Sequence, residues 1–534
     1  MNYYPKITYL SLQKILYDRF SKEGFLTLKD LPPPSQLKDM DRATKRIGEA
    51  IQNSEKIVLI GDYDVDGVVS TTLMKLFFDE LGLDLKWIIP NRFRDGYGLS
   101  PSIISRIDLC DLVITVDNGI SAVDAAKMCI DRGIDLIITD HHLIPPKIPQ
   151  AYAIIDQKQD SCTFPYSDIC GAQIAWYLIA SLKNYLKVDI DIKSYLELVS
   201  IAIIADMMPL KHINRAMVVA GIQLLNQSSR PAIRAFREYL DREIFVSNDI
   251  GFQLAPILNS AGRMEDASFA VEFLTSRNIY DAKSRLEKLI KFNTERKEVE
   301  HTITQEAIDQ ADIEDDVLIV YGDDWHEGVV GIVAARISRH FGKPAIVLSK
   351  SENGDFKGSG RSFGVCDLFG ITDSCREFLY KFGGHQAAIG LTLSEKNIEP
   401  FRVRLQDKYA LQEYRQNRYD PDIIGEIDFS EISFRLIEMI QKYEPYGQDN
   451  QKPKFITKKV KILQADKMGK KREHLRFALE HKGVIFTGVK FKSSANFYSG
   501  EYVELSYTIN KNHFKGEISL QLIIDKISLN NIVQ

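Results

Sequence analysis

The sequence predicts an α/β protein with a parallel-sheet domain, a long linking helix, a second α/β domain and a small terminal β-barrel. Three observations lead there. Between residue 56 and about 160, short β-branched runs alternate with helically spaced segments, the pattern of a doubly wound parallel sheet. Residues 279–312 read as one charged helix whose apolar positions, Leu286, Leu289, Ile290, Val299, Ile303 and Ala307, share a side. From 453 on, short strands recur at Val460–Leu463, Leu475–Leu479, Val484–Val489, Tyr502–Ile509 and Ile518–Ile523.

A chain of 534 residues has room for roughly three or four domains. Its hydrophobic content of 45% and charged content of 26% are those of a soluble globular protein. Lys, Asp, Arg and Tyr interrupt the first twenty residues, so no signal peptide is expected, and no apolar run reaches membrane-spanning length. The six cysteines (110, 129, 162, 170, 366, 375) include no CxxC pair and are expected to be reduced core residues of a cytoplasmic protein. The net charge of −5 is unevenly spread: residues 451–534 hold 16 Lys+Arg against 7 Asp+Glu, and the remainder 52 against 66. A basic module on an acidic body points to a polyanion at one end and cations at the other. A basic face alone is most often solvated surface.

Residues 1–55 read as a helical leader, broken at Leu31-Pro32-Pro33-Pro34, with a helix through Met40, Ala43, Ile47 and Ile51. Strands are expected at 56–61, 85–89, 111–117, 134–139 and 152–156, with helices between. The first strand runs into Gly-Asp-Tyr-Asp-Val-Asp-Gly at 61–67. In an extended backbone Asp62, Asp64 and Asp66 point one way. Carboxylates that close repel, and one must take a proton unless divalent cations lie between them. A calcium-binding EF-hand loop begins similarly but needs a preceding helix and Glu at its twelfth position, which here is Leu73. Val68 to Leu81 has the spacing of a helix packed on a sheet, so the acids sit at a strand–helix junction, where open α/β sheets place their sites.

Asp117 ends the next long strand, before the turn signal Asn118-Gly119, and Asp140-His141-His142 ends the one after. Three neighbouring strand ends would focus these groups on one sheet edge. Asp206, after the apolar run Leu198 to Ala205, is a fourth candidate that alone reads as a helix end. Carboxylate oxygen with imidazole and no thiolate suits Mn²⁺ or Mg²⁺, with Zn²⁺ or Co²⁺ as alternatives. Two ions need a bridging carboxylate, and Asp117 in the middle strand is the candidate. Such a pair serves metal-dependent hydrolysis of a phosphoester.

The segments DYDVDG, VDNG, TDHH and ADMMP resemble the four motifs of the DHH phosphoesterase superfamily, which is named for Asp140-His141-His142. The resemblance implies that Asp64, Asp66, Asp117, His141 and Asp206 are metal ligands, with Asp117 bridging. His142 would sit near the scissile phosphate as an acid or orienting group. Asp62 would contact metal or support the ligands, since many members have a His shortly before the paired acids where this chain has Ile60.

The loop Pro90 to Leu99 carries Arg92, which would fork a phosphate, and Tyr97, which would stack a base; it resembles the loop RecJ-type nucleases use on the terminal nucleotide. Residues 160–275 read as mostly helical and end in a RecJ-like segment, Pro256 to Met264, where Arg263 would contact phosphate with Asn259 in support. A second α/β unit starts at Val317. Gly-Ser-Gly-Arg-Ser at 358–362 and the Gly383 to Gly390 segment resemble the DHHA1 substrate-binding domain. Singly such loops are usually plain turns. The resemblance implies that Ser359 and Arg361 hold a terminal phosphate beside Gly384, while His326 and His385 line the cleft. After a connector with Asp449-Asn450-Gln451, the C-terminal strands resemble the OB-fold of RecJ, with Lys470, Lys471, Arg472, Phe497, Tyr498 and Phe514 as candidate strand contacts.

The boundaries expected are 1–55 leader, 56–278 DHH catalytic domain, 279–312 linker helix, 313–395 DHHA1 domain, 396–452 connector and 453–534 OB-like domain. The resemblance, over residues 31 to 530, implies a single-stranded-DNA-specific exonuclease of DNA repair and recombination. It would work 5′ to 3′ with two Mn²⁺ or Mg²⁺ ions and release 5′-mononucleotides, as a cytoplasmic monomer. Single-stranded DNA is the implied partner, with a single-strand-binding protein and a helicase as further candidates and no membrane. Two other readings stand beside it. One is a DHH hydrolase of short oligoribonucleotides or signalling nucleotides, which needs no basic terminal barrel. The other is a non-catalytic replication-fork scaffold, which typically loses metal ligands that this chain retains.

Overall fold

A computed structural model describes residues 4–529 apart from 23, 352, 412–419, 421, 470, 471, 494 and 515. The chain divides into two units. The larger comprises Pro32–Met208 with Ala220–Asn417, and the smaller Met1–Leu31 with Pro209–Val219 and Arg418–Gln534.

In the larger unit, α2 (Met40–Gln52; α1 lies in the smaller unit) precedes five parallel strands: β1 (Ile57–Ile60), β2 (Lys86–Ile88), β3 (Leu112–Val116), β4 (Asp135–Thr139) and β5 (Ala153–Ile155). Their order is β2-β1-β3-β4-β5. β3 is buried at all five positions, as a central strand with both faces covered must be. Helices α3 (Val65–Glu80) and α6 (Gly171–Leu186) pack together, and α6 also meets β3 and β4. Ile103 and Ile104 of α4 (Pro101–Arg106) and Ala125, Ala126 and Cys129 of α5 (Val123–Asp131) share a core with Val58, Val113 and Leu136.

Register places the site. Ile60 pairs with Thr115, and Val116 with Thr139, so β1, β3 and β4 end level and the residues after them emerge on one edge. Between β1 and β3 the strand order switches direction, the position where such sheets leave a crevice. The link from β4 to β5 departs from expectation: residues 140–152 hold no helix, because Pro145 and Pro146 supply no amide donors within a short connection. Helix α7 (Leu196–Ala205) ends with Asp206 as its C-cap.

The long helix Ile279–Gln310 starts where the Asn278 side chain accepts from the Asp281 amide at 2.9 Å. It buries Leu286, Leu289, Ile303 and Ala307 together with Glu300, which is held by Arg296 at 2.6 Å and by Arg336. A second sheet follows: β6 (Leu318–Gly322), β7 (Ala345–Lys350), β8 (Phe356–Arg361), β9 (Lys381–His385) and β10 (Ala388–Leu393), in the order β6-β7-β8-β10-β9. The helix Ile398–Ala410 puts Ile398, Phe401 and Leu405 into that sheet's core. The packed body therefore extends past the expected boundary at 395.

In the smaller unit, β12 (Lys454–Met468), β13 (His474–His481), β14 (Val484–Lys490), β16 (Glu517–Leu529) and β15 (Tyr502–Phe514) close into a barrel through a β12–β15 pairing, with β11 (Ile423–Glu426) parallel to β12. Leu12 and Leu16 of α1 (Tyr9–Asp18), with Phe20, enter the core formed by Leu436, Phe455 and Tyr507. The single leader expected over 1–55 is thus divided. Its first part carries the apolar stripe of the barrel unit, and Pro32-Pro33-Pro34 separates it from α2. The six cysteines are free, and no helix among the described residues is long and apolar enough to cross a membrane.

Leu16→Ala is expected to cost about 2–5 kcal/mol in the smaller unit alone. Hydrogen exchange checks this: strands β12 to β16 should lose protection while β1, β3 and β4 keep theirs.

Candidate active site

Asp64 is the N-cap of α3. Its Oδ1 accepts from the Asp66 amide at 2.9 Å and the Gly67 amide at 3.1 Å. Asp66 therefore lies in the first helical turn, and the three acids converge through this turn, not through the strand alternation expected. A Cβ on Gly67 would lie 2.6 Å from the Asp62 backbone, so only glycine lets the turn close. Asp66 in turn accepts from the amides of Gly171 at 2.6 Å and Ala172 at 2.8 Å, at the positive end of α6.

Asp117 follows β3 with a left-handed φ of 64°, held by its neighbour. Asn118 donates to the carbonyls of Ile60 and Val116 at 3.2 and 2.9 Å and accepts from the Leu99 amide at 3.0 Å. Gly171 faces Asp117 closely, since a Cβ there would lie 2.6 Å from Asp117 Oδ1. His141 Nε2 lies 3.1 Å from Asp117 Oδ1, 3.6 Å from Asp66 Oδ2 and 3.7 Å from Asp206 Oδ2. His142 Nδ1 is 2.6 Å from Asp140 Oδ1, whose partner oxygen accepts from the Ile120 amide at 2.8 Å. The Tyr97 hydroxyl is 3.2 Å from His142 Nε2.

Electrostatics set these groups apart. Burial, then Asp64, pushes Asp62 well above the carboxylate range, and burial with Asp66, Asp64 and Asp62 does the same to Asp117. Burial followed by Asp64 brings Asp66 to about 6, and burial with Asp66 and Asp64 brings Asp206 to about 9. Burial and His142 drive His141 down to about 3. For His142 burial also opposes the charge, but the Asp140 hydrogen bond and nearby carboxylates outweigh it, and it stands at about 9.

Asp62 Oδ1, Asp117 Oδ1 and Asp206 Oδ2 are buried without a hydrogen-bond partner among the described residues. Orphaned acceptors of this kind are costly and rare. Ligand atoms of Asp62, Asp64 and Asp117, of Asp66, His141 and Asp206, and of Asp117, His141 and His142 lie within 4.8 Å in each group. Asp117 and His141 are each shared by two groups. Oxygen donors, a neutral imidazole and a shared carboxylate fit a pair of divalent cations of the Mn²⁺ or Mg²⁺ type.

Cationic groups gather beside this acidic edge. Arg92 Nε donates to the Gly262 carbonyl at 3.2 Å, and Arg263 Nη1 to the Gly328 carbonyl at 3.1 Å. Burial, then Arg92 and Arg296, lowers Arg263 to about 10, with Arg361 adding to the effect. Arginines that repel one another in a buried setting favour an anion between them. Arg361 Nη1 donates to Ser359 Oγ at 2.7 Å. A Cβ on Gly331, in the first turn of the helix Val330–Phe341, would lie 3.2 Å from Arg361 Nη2 and 3.3 Å from Ser359 Oγ, so that helix end faces both. The His326 ring stands edge-on to Phe93, centroids 5.4 Å apart, and its Nδ1 accepts from the Gly328 amide.

Models of the DHH family N-terminal domain, the DHHA1 domain and the RecJ OB domain match residues 56–203, 314–410 and 423–526. The protein from Dickeya dadantii described as single-stranded-DNA-specific exonuclease RecJ is 32% identical over 91% of this chain and 90% of its own. The chain belongs to the RecJ family. The Haemophilus influenzae RecJ is also 32% identical, over 95% of this chain and 93% of its own. The crystal structure of RecJ with Mn²⁺ from Thermus thermophilus shares the fold, with a TM-score of 0.76 at 24% identity over 92% of this chain and 72% of that one. A structure of exonuclease RecJ bound to manganese matches with a TM-score of 0.62 at 27% identity, over 70% of this chain and 95% of that one.

Within this RecJ-family chain the remaining candidates are spread more widely. Asn259 is half-buried one turn before Arg263 on the helix Ala255–Met264. Gly384 adopts φ 142°, and a Cβ there would meet the Ala388 carbonyl at 2.3 Å. His385 is exposed and pairs with Ala388, which on its other side pairs with Arg361, so a strand separates His385 from Arg361. On the barrel, Tyr498 and Arg472 are exposed. Phe497 instead packs on Phe477, centroids 5.6 Å apart, and belongs to the barrel core. Lys470, Lys471 and the Phe514 side chain lie outside the described residues. Sequence reading missed Gly171 and Ala172, whose amides carry no chemical signature, and gave Asp140 no role of its own.

Asp117→Asn removes one of the repelling charges. The metal-free variant is expected to melt no lower than the parent. The parent at about 100 times its Mn²⁺ Kd should gain about 2.7 kcal/mol, a rise the variant should lack in the same thermal melts. Gly171→Ala, which drives a methyl into Asp117, should also weaken Mn²⁺ binding in calorimetry.

Proposed function

We propose that this chain is a metal-dependent exonuclease acting on single-stranded DNA from the 5′ end, releasing 5′-mononucleotides during DNA repair and recombination. The observation that carries the reading is the meeting of two opposite charge clusters in the larger unit. The acids and imidazole of Asp62, Asp64, Asp66, Asp117, His141 and Asp206 lie beside the guanidinium groups of Arg92 and Arg263, close enough that Arg92 acts on Asp62 and Asp64 on Arg263, and Arg361 acts in turn on Arg263. A nucleic-acid terminus needs both: cations at the bond that breaks and fixed positive charge for the phosphate that anchors the end. In the family, proteins named single-stranded-DNA-specific exonuclease show 32% identity across nearly the whole length.

In this reading Asp64, Asp66, Asp117, His141 and Asp206 would hold two Mn²⁺ or Mg²⁺ ions, and Asp117 belongs to two of the candidate ligand groups. Such ions activate water and stabilise the charge of an in-line phosphoryl displacement. The chain's own groups do the rest. Asp140 fixes His142 through Nδ1 and keeps the ring protonated, so Nε2 presents a proton beside the Tyr97 hydroxyl to the scissile phosphate or its departing oxygen. Ser359 Oγ and the Arg361, Arg263 and Arg92 guanidiniums orient the terminal phosphate. The exposed ring of Tyr498 and the charge of Arg472 serve the strand on the barrel. A cytoplasmic monomer, working beside a single-strand-binding protein and a helicase, fits this role.

Digestion of end-labelled single strands tests the reading. With Mn²⁺ or Mg²⁺, a 5′-labelled strand should yield labelled mononucleotide as its first product, and EDTA should abolish it. First release from the 3′ end would overturn the polarity, and equal rates on a blunt duplex would overturn the single-strand preference.

A further inference from the structure

Tyr63 stands between two of the acids in sequence, and nothing above gives it a role. The structure places its ring under Arg92, whose Cζ lies 4.0 Å from the ring centroid. Arg92 spends Nε on the Gly262 carbonyl, its one hydrogen bond among the described residues. One face and one nitrogen of the guanidinium are thus engaged, and its terminal amino groups remain for a ligand. On its other side Tyr63 meets Tyr97 edge-on, with centroids 6.0 Å apart at 81°. The Tyr97 hydroxyl reaches His142.

The backbone of Tyr63 is seated as firmly as its ring. A Cβ on Gly262 would lie 2.4 Å from the Tyr63 carbonyl oxygen and 3.3 Å from Tyr63 Cβ. The residue that supplies the carbonyl for Arg92 is therefore also the one that admits Tyr63. The Tyr63 hydroxyl makes no hydrogen bond among the described residues, so the ring is the working part.

We propose that Tyr63 is a positioning residue: its ring fixes the guanidinium plane of Arg92, so that the free edge meets the phosphate of the terminal nucleotide at a set distance from Asp62 and Asp64. A lone guanidinium on a flexible stem samples many planes, and an aromatic face restricts it to one. Because Tyr63 is bonded to both flanking acids, end recognition and the bond to be cut share a single rigid reference. This rests on the exonuclease reading above.

The test compares 5′-phosphorylated with 5′-hydroxyl deoxythymidine oligonucleotides, by anisotropy in EDTA and by kcat and KM with Mn²⁺. The parent should prefer the 5′-phosphate. Tyr63→Leu should lose about tenfold of that preference, chiefly in KM, with Mn²⁺ binding unchanged in calorimetry. Tyr63→Phe should retain the preference, and in an Arg92→Gln background Tyr63→Leu should change it less than twofold. Arg92→Lys, which keeps charge but loses the plane, should mimic Tyr63→Leu and serves where that variant folds poorly. Full preference in Tyr63→Leu or in Arg92→Lys would overturn the proposal, as would equal losses in the Leu and Phe variants. A parent with no 5′-phosphate preference would instead remove the phosphate role of Arg92, and the proposal with it.

Discussion

The crowding of like charge at the carboxyl edge of one parallel sheet is the constraint around which the larger unit is built. Asp62, Asp66 and Asp117 are buried beside one another, with Asp64 and Asp206 close by, and the proton affinities of Asp62, Asp66, Asp117 and Asp206 rise accordingly. Protein donors meet part of this charge. The α6 amides hold Asp66, and the first amides of α3 hold Asp64. Other oxygens in the same cluster, on Asp62, Asp117 and Asp206, have no hydrogen-bond partner among the described residues. A fold that satisfies some acceptors and leaves their neighbours bare is arranged for cations that come from solvent.

Glycine makes the approach possible. At Gly67 and Gly171 a side chain would strike the acids themselves, and at Gly328 it would strike the Arg263 carbonyl at 2.1 Å. Level strand ends bring the groups to one edge, and these small residues let helices close over them. The guanidinium groups then supply the opposite sign next to the cluster, so the site holds positive and negative charge without cancelling either.

Much of this was legible in the chain. Each of the five strands was expected to within a residue at either end, because buried parallel strands are short β-branched runs with turn signals after them. Asp117 and His141 were readable because each ends such a run. What was not legible depends on contacts distant in sequence. The Asp62, Asp64 and Asp66 cluster was expected for the wrong reason, since alternation cannot foresee that Asp64 caps a helix. Gly171 lies 105 positions from the Asp66 carboxylate it serves and looks like any helix-start glycine. Phe497 and Tyr498 are adjacent aromatics, and only the closed barrel decides that one faces inward and the other solvent.

The barrel unit draws its core from both ends of the chain: Leu12, Leu16 and Phe20 lie against Phe455, Tyr507 and Leu522. During synthesis helix α1 emerges long before its apolar complement is made. The larger unit has all of its residues much earlier, and domains generally fold as they appear. The first thirty residues must therefore wait, uncommitted, through the translation of some four hundred more before they find their place. A chain cut short by a premature stop would leave that helix with its greasy stripe bare, a ready mark for quality-control proteases.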